Sequence, residues 1–531
     1  MLRLREKTLQ INRYVWYQVI CYTVAWTSFF YPIQSNSNNL FAKELPKKII
    51  GLDALQKELD EIFQKRSPNN FFWGIRIESL DKNQVIYSLN AGKNFTPASN
   101  QKLVTVGAAL NYLDTTFRYS TTVAMQGKVQ NAKQTGRTLK GNLIVKSNGD
   151  PSISEKWQNG NATQFFEVVA DSLLKLGISE IEGDIIGDDS AFMVSDVAMD
   201  FCGGDGDYAG SWEWEDMSYA MASPASALSF NENMVRVEAY PAQKPGKAPL
   251  VITTFPTGYI SIINRAITGA RKAERTIRIT RQLGTNNVLV TGILPIGSSK
   301  LSEPIAIERP AIFFLTVLKE TLVKKGISVT GKVRRKGSKE VLLDGSLTLI
   351  ARYISPQLKQ ILEYINKESN NFSAEQVLRT MGKAVRNQAS REAGLEVLQA
   401  YLVSLGVGQN AFYLKDASGL SRQNMLSPVA LVAVLKSLYR PRVFSTFLNT
   451  LSIAGVDGTL KKRLVGTAAQ GVVYGKTGYI AGVRTFSGYV KTAGGEWVAV
   501  SIMAMNYTQP TSEVEAFQDQ ALLLLANWKQ K

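Results

Sequence analysis

The stretch TPASNQKLVT, residues 96–105, places Ser99 and Lys102 three positions apart in a chain that contains no histidine. On a helix, positions i and i+3 share a face with Cβ atoms about 5–6 Å apart, so the lysine amine can reach the serine hydroxyl. A serine becomes a nucleophile when a base takes its proton, and histidine is the usual base. Lysine can replace it if burial and the helix dipole keep its amine neutral. We therefore predict that Ser99 is a nucleophile and Lys102 its base.

Two short motifs further along the chain strengthen the Ser-x-x-Lys pattern. By itself this spacing is a weak signal, because SLLK at residues 172–175 has it too, in an ordinary amphipathic stretch. SNN, residues 369–371, lies between two predicted helices, where a hydroxyl and an amide can point into a cleft. KTG, residues 476–478, lies in a strand-like run whose small residues leave room for a substrate to pair alongside. The signal becomes strong because the three motifs follow in a fixed order.

Composition excludes several classes of site. The chain has 531 residues, no histidine and only two cysteines, Cys21 and Cys202. A Ser-His-Asp triad, a His-ligated zinc site and a cysteine cluster are therefore excluded, and no disulfide framework is expected. The formal charge of +17 is spread along the chain. With no nucleic-acid motif present, a solvated basic surface or a polyanionic wall polymer as neighbour explains it.

The N-terminal region predicts export. Basic residues precede the apolar run YVWYQVICYTVAWTSFF, residues 14–30, as in a signal peptide. A run of this length borders on a short membrane anchor, so cleavage and membrane retention both remain open. We assign residues 1–47 to an export signal or anchor with its linker. The functional part is expected in the periplasm or at the outer face of the cytoplasmic membrane.

Helix and strand patterns at the two ends of the chain indicate one domain that is split in sequence. Residues 71–90 contain two alternating runs joined by a turn, which indicates a β-hairpin. Helical periodicity returns near residue 355, and Gln376 would complete a capping box for a second helix starting at Ser373. We assign residues 48–118 and 344–531 to this domain.

The middle of the chain has a different character. Residues 119–343 contain short β-like runs punctuated by glycine and asparagine, with one helical pattern at 163–176. We predict that this segment is a β-rich insert of one or two domains, with a nested module around residues 145–225.

The three motifs together resemble the signature of penicillin-binding proteins and serine β-lactamases. GNLIVKSNGDPSIS at 141–154, WEWEDMSYAMASPASALSFNEN at 212–233 and DASGLSRQNMLSP at 416–428 are similar to the class C low-molecular-mass penicillin-binding proteins. These are D-alanyl-D-alanine carboxypeptidases and endopeptidases of the DacB type. The resemblance covers nearly everything from about Leu52 onward. It implies an α/β fold, a penicillin-binding (serine β-lactamase-like) transpeptidase domain whose antiparallel sheet is flanked by helices and split by the insert.

The resemblance implies a role for each motif residue. Ser99 attacks the carbonyl of the penultimate D-alanine, Lys102 is the general base, and Ser369 relays a proton towards the leaving amine. The substrate-binding residues are Asn371 for the substrate amide, Lys476 and Thr477 for the terminal carboxylate, and Gly478 and Tyr479 beside them. The backbone N–H groups of Ser99 and Tyr479 would form the oxyanion hole.

Two positions leave questions open. The family usually has Thr or Ser where this chain has Tyr479, and that hydroxyl helps to hold the substrate carboxylate. Tyr479 keeps the backbone donor but changes the side chain, so carboxylate affinity and β-lactam sensitivity are the properties that this position bears on. Family members also use an acidic residue of the insert to pair with the free amine of the stem-peptide side chain. The matching stretch is IIGDDSAF, residues 185–192, and we choose Asp188, with Asp189 as the alternative. A pair of aspartates that only closes a β-turn explains the stretch equally simply.

The expected function is a serine DD-peptidase that acts on peptidoglycan stem peptides and binds β-lactams covalently, without metal or cofactor. A β-lactamase of the same fold is one alternative, although the expected stretch has no recognisable E-x-x-N loop. A catalytically silent wall-binding scaffold is the other, but it would not need intact motifs. The sequence leaves the choice between carboxypeptidase and endopeptidase activity open.

Overall fold

The computed structural model describes residues 49–68, 70–132, 136–193, 206–337, 339–340 and 347–530. All of these residues belong to one compact unit, Pro46–Lys531. The predicted export signal or anchor, residues 1–47, lies outside the described residues, as do both cysteines. Within the described ranges, no helix has both the length and the apolar character needed to span a bilayer.

A six-stranded antiparallel sheet joins the two ends of the chain. Its strands, in spatial order, are Gln84–Leu89, Phe72–Ser79, Trp497–Met505, Val483–Lys491, Val473–Ile480 and Ser452–Ile453. The hairpin predicted at residues 71–90 is present, and its first strand pairs with Trp497–Met505. Strands from both predicted halves therefore share one sheet, which confirms the predicted fold of a domain split in sequence.

Helices cover both faces of this sheet because its central strands are apolar on both sides. Along Trp497–Met505, Val500 and Ile502 pack into one hydrophobic cluster, whereas Ala499 and Met503 pack into another. This is the alternation expected when successive side chains point to opposite faces. The first cluster is closed by the helices Leu52–Asp60 and Thr511–Asn527. The second is closed by the helices Gln101–Tyr112, Leu358–Lys367, Asn371–Arg386, Arg391–Ser404, Pro428–Leu438 and Phe444–Thr450.

The insert is built around a second, seven-stranded sheet with mixed strand directions. Its strands are Ser120–Asn131, Arg137–Ser147, Ile178–Glu182, Ile185–Asp188, Ser328–Val329, Val333–Arg335 and Leu347–Ile354. The helices Gln164–Lys175 and Pro310–Lys324 pack on it, so the predicted helix at 163–176 is present. Leu347–Ile354, which we placed in the split domain at 344–531, pairs instead with Ser120–Asn131. The chain thus leaves the insert beside the strand by which it enters.

Smaller strands complete the insert. They are Met234–Tyr240, Leu250–Thr253, Ser261–Asn264, Ile267–Gly269, Arg278–Arg281, Asn287–Thr291, Ile293–Pro295 and Leu301–Ala306. Residues 119–343 are thus rich in strands, whereas their assignment as one or two separate domains, with a nested module around 145–225, stays a prediction. Residues 206–233 hold three short 3-10 turns and hydrogen-bond Asp416 and Asn371 of the split domain.

Candidate active site

The predicted nucleophile lies in a tight turn at the start of a buried helix. Ala98–Asn100 forms a 3-10 turn that leads into the helix Gln101–Tyr112. Ala98 has a φ of 46°, a left-handed conformation that is uncommon for a residue with a side chain. Gly419 permits it, because a Cβ at that glycine would stand 1.8 Å from the Ala98 carbonyl oxygen. The turn that presents Ser99 is thus held in an unusual backbone shape by its neighbours.

Lys102 is fully buried beside Ser99, as the spacing predicts. Its Nζ lies 3.1 Å from Ser99 Oγ and donates hydrogen bonds of 2.6 Å to Asn371 Oδ1 and 2.6 Å to the Ser418 carbonyl. A neutral amine has two hydrogens, which these two acceptors take, so its lone pair is left facing the serine hydroxyl. The local arrangement is that of a base aimed at a nucleophile.

Burial favours the neutral form of the Lys102 amine. Desolvation lowers the pKa of Lys102 from 10.5 to about 7, even though the charges of Asp416 and Glu375 act in the opposite direction. A base whose pKa lies near neutrality is partly deprotonated at neutral pH and is still basic enough to accept a proton.

A second lysine approaches the nucleophile through a serine. Ser369 Oγ lies 3.0 Å from Ser99 Oγ, and Lys476 Nζ donates to Ser369 Oγ at 2.9 Å. Burial, followed by the charges of Lys102 and Arg484, holds the pKa of Lys476 well below its ordinary value. The three motifs therefore meet in one hydrogen-bonded chain that runs from Lys102 through both serines to Lys476.

Asn371 begins a helix rather than lying in the loop before it. The helix spans Asn371–Arg386, two residues longer at its start than predicted, because the side chain of Asn370 accepts a hydrogen bond from the Ser373 N–H at 2.7 Å. Asn370, not Ser373, is therefore the N-cap. Asn371 accepts from Lys102 and donates through Nδ2 to the Met221 carbonyl at 2.8 Å. Its amide thus joins Lys102 to the insert.

The strand Val473–Ile480 carries the Lys-Thr-Gly motif with one edge open. Val483–Lys491 pairs along one edge, whereas Ser452–Ile453 pairs on the other only at Tyr474 and Gly475. Among the described residues no strand covers that edge from Lys476 onward. An extended peptide can pair with such an edge.

Each motif residue on this strand has a defined setting. A Cβ at Gly478 would stand 2.2 Å from Thr485 Oγ1 and 2.9 Å from the Pro97 carbonyl, so only glycine fits. Thr477 Oγ1 donates to Thr459 Oγ1 at 2.8 Å. Tyr479 is 55% exposed, so its side chain is accessible to solvent beside the motif.

The loop 416–424 holds residues that sequence reasoning left without a role. The Asp416 carboxylate accepts from the backbone N–H groups of Gly419 and Ser421, each at 2.7 Å, and from Trp212 Nε1 of the insert at 2.9 Å. These bonds fix the loop whose Ser418 carbonyl accepts from Lys102. The only signal for this loop in the sequence was the resemblance of DASGLS to the family pattern. That resemblance does not indicate that a backbone carbonyl would accept a hydrogen bond from Lys102.

Asp188 and Asp189 lie in a separate setting. Asp188 accepts from Ser190 Oγ at 2.5 Å and pairs with Lys336 at 3.3 Å, and Asp189 pairs with Arg335 at 2.6 Å. Partial burial raises the pKa of Asp188, but the Ser190 hydrogen bonds and the Lys336 charge outweigh it, so the pKa is lower than usual. Within the described chain, no hydrogen bond or ion pair joins Asp188 to the Ser99 cluster. Its amine-binding role stays a prediction.

The cavity beside Asp188 has a volume of about 470 Å³. Its charged lining residues are Lys146, Asp188, Lys336, Glu340 and Arg352.

In the part of the chain that the structure describes, no group of three or more acidic or thiol side chains could hold a metal ion.

Comparison with known proteins places this geometry in context. The family model of the D-Ala-D-Ala carboxypeptidase 3 (S13) family matches residues 55–527. A D-alanyl-D-alanine carboxypeptidase of Actinomadura sp. (strain R39) is 30% identical over 494 residues, which cover 90% of this chain and 85% of that protein. The D-alanyl-D-alanine carboxypeptidase DacB of Haemophilus influenzae is 27% identical over 461 residues, covering 85% and 88% of the two chains.

The fold agrees with a solved structure. The crystal structure of penicillin binding protein 4 (dacB) from Haemophilus influenzae matches with a TM-score of 0.73 and 24% identity, covering 88% of this chain and 99% of that chain. The predicted α/β penicillin-binding fold is therefore confirmed.

Proposed function

The chain belongs to the D-Ala-D-Ala carboxypeptidase 3 (S13) family, and from this premise we propose how its residues carry out the reaction. The protein is a serine-type D-Ala-D-Ala carboxypeptidase, a hydrolase, as the resemblance of its motifs predicted. Its substrates are peptidoglycan stem peptides, and β-lactams are its covalent inhibitors. The observation that carries the mechanism is the hydrogen-bonded chain Lys102–Ser99–Ser369–Lys476.

The first step makes an acyl-enzyme. Ser99 Oγ attacks the carbonyl carbon of the penultimate D-alanine while its proton passes to the neutral amine of Lys102. The negative charge that develops on the carbonyl oxygen is stabilised by the backbone N–H groups of Ser99 and Tyr479. The C–N bond then breaks, and the leaving amine takes the proton from Lys102 through the hydroxyl of Ser369.

The second step releases the peptide. A water molecule loses a proton to Lys102 and attacks the ester carbonyl. The bond to Ser99 Oγ then breaks, and that oxygen takes the proton back from Lys102, which restores the free enzyme and releases a stem peptide shortened at its C-terminus. A β-lactam follows the same first step but leaves a bulky acyl group on Ser99. A β-lactamase of the same fold would hydrolyse that ester rapidly, so the lifetime of the penicilloyl-enzyme separates the two activities.

The substrate lies along the open edge of Val473–Ile480. Pairing there brings the peptide backbone beside Gly478, where the missing side chain allows close approach. Lys476 and Thr477 attract the terminal carboxylate, and Asn371 exchanges its bond to the Met221 carbonyl for one to the substrate amide. The exposure of Tyr479 supports a contact between its ring and the carboxylate end of the substrate, where the family usually has the hydroxyl of Thr or Ser.

Localisation rests on the N-terminal pattern alone. The basic and apolar segments of residues 1–30 support export to the periplasm or to the outer face of the cytoplasmic membrane. If the segment is not cleaved, the apolar run 14–30 anchors the enzyme to that membrane.

Digestion of purified peptidoglycan tests this function. The enzyme should release free D-alanine from pentapeptides, and endopeptidase activity would in addition convert cross-linked dimers to monomers, both resolved by mass. Ser99→Ala, which keeps the turn but removes the nucleophile, should release neither. Product formation by that variant would contradict the mechanism.

A further inference from the structure

Glu375 is a buried carboxylate that the mechanism above does not use. It is 2% exposed on the helix Asn371–Arg386, one turn after Asn371. Its Oε1 accepts hydrogen bonds from the backbone N–H groups of Ala417 at 2.9 Å and Ser418 at 3.0 Å. The carbonyl of that same Ser418 accepts from Lys102 Nζ at 2.6 Å. Glu375 therefore fixes the backbone residue that holds the catalytic amine.

Glu375 is in turn connected to the insert. Arg379, 1% exposed and one turn further along the helix, forms an ion pair with Glu375 at 3.6 Å and hydrogen-bonds Asp207. Asp207 belongs to the insert, where its backbone pairs with Ala225. A line of buried charges thus runs from the insert through Arg379 and Glu375 to the loop around Ser418.

Hydrogen bonding alone does not require a charge at this position. A glutamine oxygen could accept the same two N–H bonds, and burying a carboxylate costs free energy unless it is paired. The negative charge of Glu375 raises the pKa of Lys102. The charged neighbours of Lys102 are the acids Asp416 and Glu375 and the cation Lys476. Burial lowers the pKa of Lys102 to about 7, and the two acids act against a still larger fall. Burial, followed by the charge of Asp416, raises the pKa of Glu375 to about 6, so this carboxyl is mostly ionised at the pH where Lys102 titrates.

We propose that Glu375, anchored to the insert through Arg379 and Asp207, is a positioning residue that holds the Ser418 carbonyl against Lys102 and keeps a negative charge beside that base. The proposal rests on the proposed function, in which Lys102 takes the proton of Ser99. It makes the insert part of the catalytic apparatus, because its Asp207 supports the residue that positions the base.

The rate of acylation by a fluorescent penicillin, measured from pH 5.5 to 9.5, tests the proposal. Glu375→Gln keeps an oxygen for both N–H groups but removes the charge, so the ammonium form of Lys102 is less favoured. The midpoint of the rate against pH should move about one unit lower, since a unit charge at several ångströms is worth roughly that much in a partly buried site. Glu375→Ala leaves two buried N–H groups unpaired and should lower the maximal rate roughly tenfold to a hundredfold.

A matched control distinguishes the loss of a negative charge beside Lys102 from the general effect of removing a buried carboxylate. Glu308→Gln removes another buried carboxylate, one that pairs with the buried Arg281 of the insert. Its midpoint should equal that of the wild type. Asp207→Asn leaves Arg379 less neutralised, so its midpoint should fall in the same direction as Glu375→Gln but by less.

The outcomes separate this inference from the function on which it rests. Wild-type protein that is not acylated at Ser99 would overturn the proposed function itself. Normal wild-type acylation with an unchanged midpoint in Glu375→Gln would make Glu375 merely structural. If thermal melting shows that this variant does not fold, Asp207→Asn decides, and an unchanged midpoint there overturns the proposal.

Discussion

Replacing Lys102 by methionine should change how the stability of the protein depends on pH. The lysine amine is fully buried, and desolvation lowers its pKa from 10.5 to about 7 in the folded protein. The unfolded chain therefore binds more protons than the folded protein between pH 7 and 10.5. Stability rises with pH in that window and is lower below it, because folding at low pH must either bury an ammonium or release a proton. Methionine has a similar shape and no proton to lose.

The size of the effect follows from the two pKa values. A shift of one pKa unit corresponds to about 1.4 kcal/mol, so the full shift of Lys102 opposes folding by roughly 5 kcal/mol below pH 7. Between pH 7 and pH 9, the free energy of unfolding of the wild type should rise by about 2 kcal/mol more than that of Lys102→Met. Methionine leaves the Asn371 and Ser418 oxygens without their donor, but this cost is the same at both pH values.

Urea unfolding monitored by tryptophan fluorescence at pH 7 and pH 9 measures the difference. Lys476 is present in both proteins, but the charge of Lys102 helps to lower its pKa. Removing Lys102 relieves part of that shift, which adds to the predicted difference in the same direction. The prediction concerns the change with pH rather than either stability alone. If the wild type and Lys102→Met gain or lose the same free energy between the two pH values, Lys102 is not a neutral buried amine and the reasoning fails.

Two further substitutions test the open edge and the insert. Gly478→Ala places a Cβ within 2.9 Å of the Pro97 carbonyl and closer still to Thr485, which should cost about 1–3 kcal/mol and reduce penicillin acylation at least tenfold. Gly92→Ala, with nothing within 4 Å of the new Cβ, is its control, and equal rates in the two variants would contradict the packing argument. Asp188→Asn should slow turnover of peptides with a free diaminopimelyl or lysyl amine roughly tenfold to a hundredfold, as expected for a charge-assisted contact. Acetylated peptides should react almost as before, and equal losses on both would exclude the amine-binding role.

The side-chain part of the site was accessible to sequence reasoning. The spacing of Ser99 and Lys102 is a local property of a helix, and the observed 3.1 Å between Oγ and Nζ follows from it. The order of the three motifs predicted that Ser369 and Lys476 would join them, although more than 250 residues separate the first motif from the second. Their roles in catalysis stay predictions.

Backbone atoms and long-range pairings were not accessible. The Ser418 carbonyl has no side-chain signature, and Glu375 has the helical spacing of an ordinary surface residue until its neighbours are known. The helix at Asn371 was placed two residues late, because Asn370 competes as a cap with the Ser373 predicted from the capping-box pattern. The sequence of Leu347–Ile354 has a strand pattern, but nothing in it predicts that this strand pairs with Ser120–Asn131.

The central claim is that Ser99 becomes acylated with Lys102 as its base, and the mass of the penicillin-treated protein tests it most directly. After brief treatment at neutral pH and proteolysis, the peptide that contains residues 96–105 should carry the mass of one penicilloyl group on Ser99. Ser99→Ala should carry none, and Lys102→Met should be labelled more slowly by orders of magnitude. An adduct on any other residue, or a Lys102→Met protein labelled at the wild-type rate, would contradict the account.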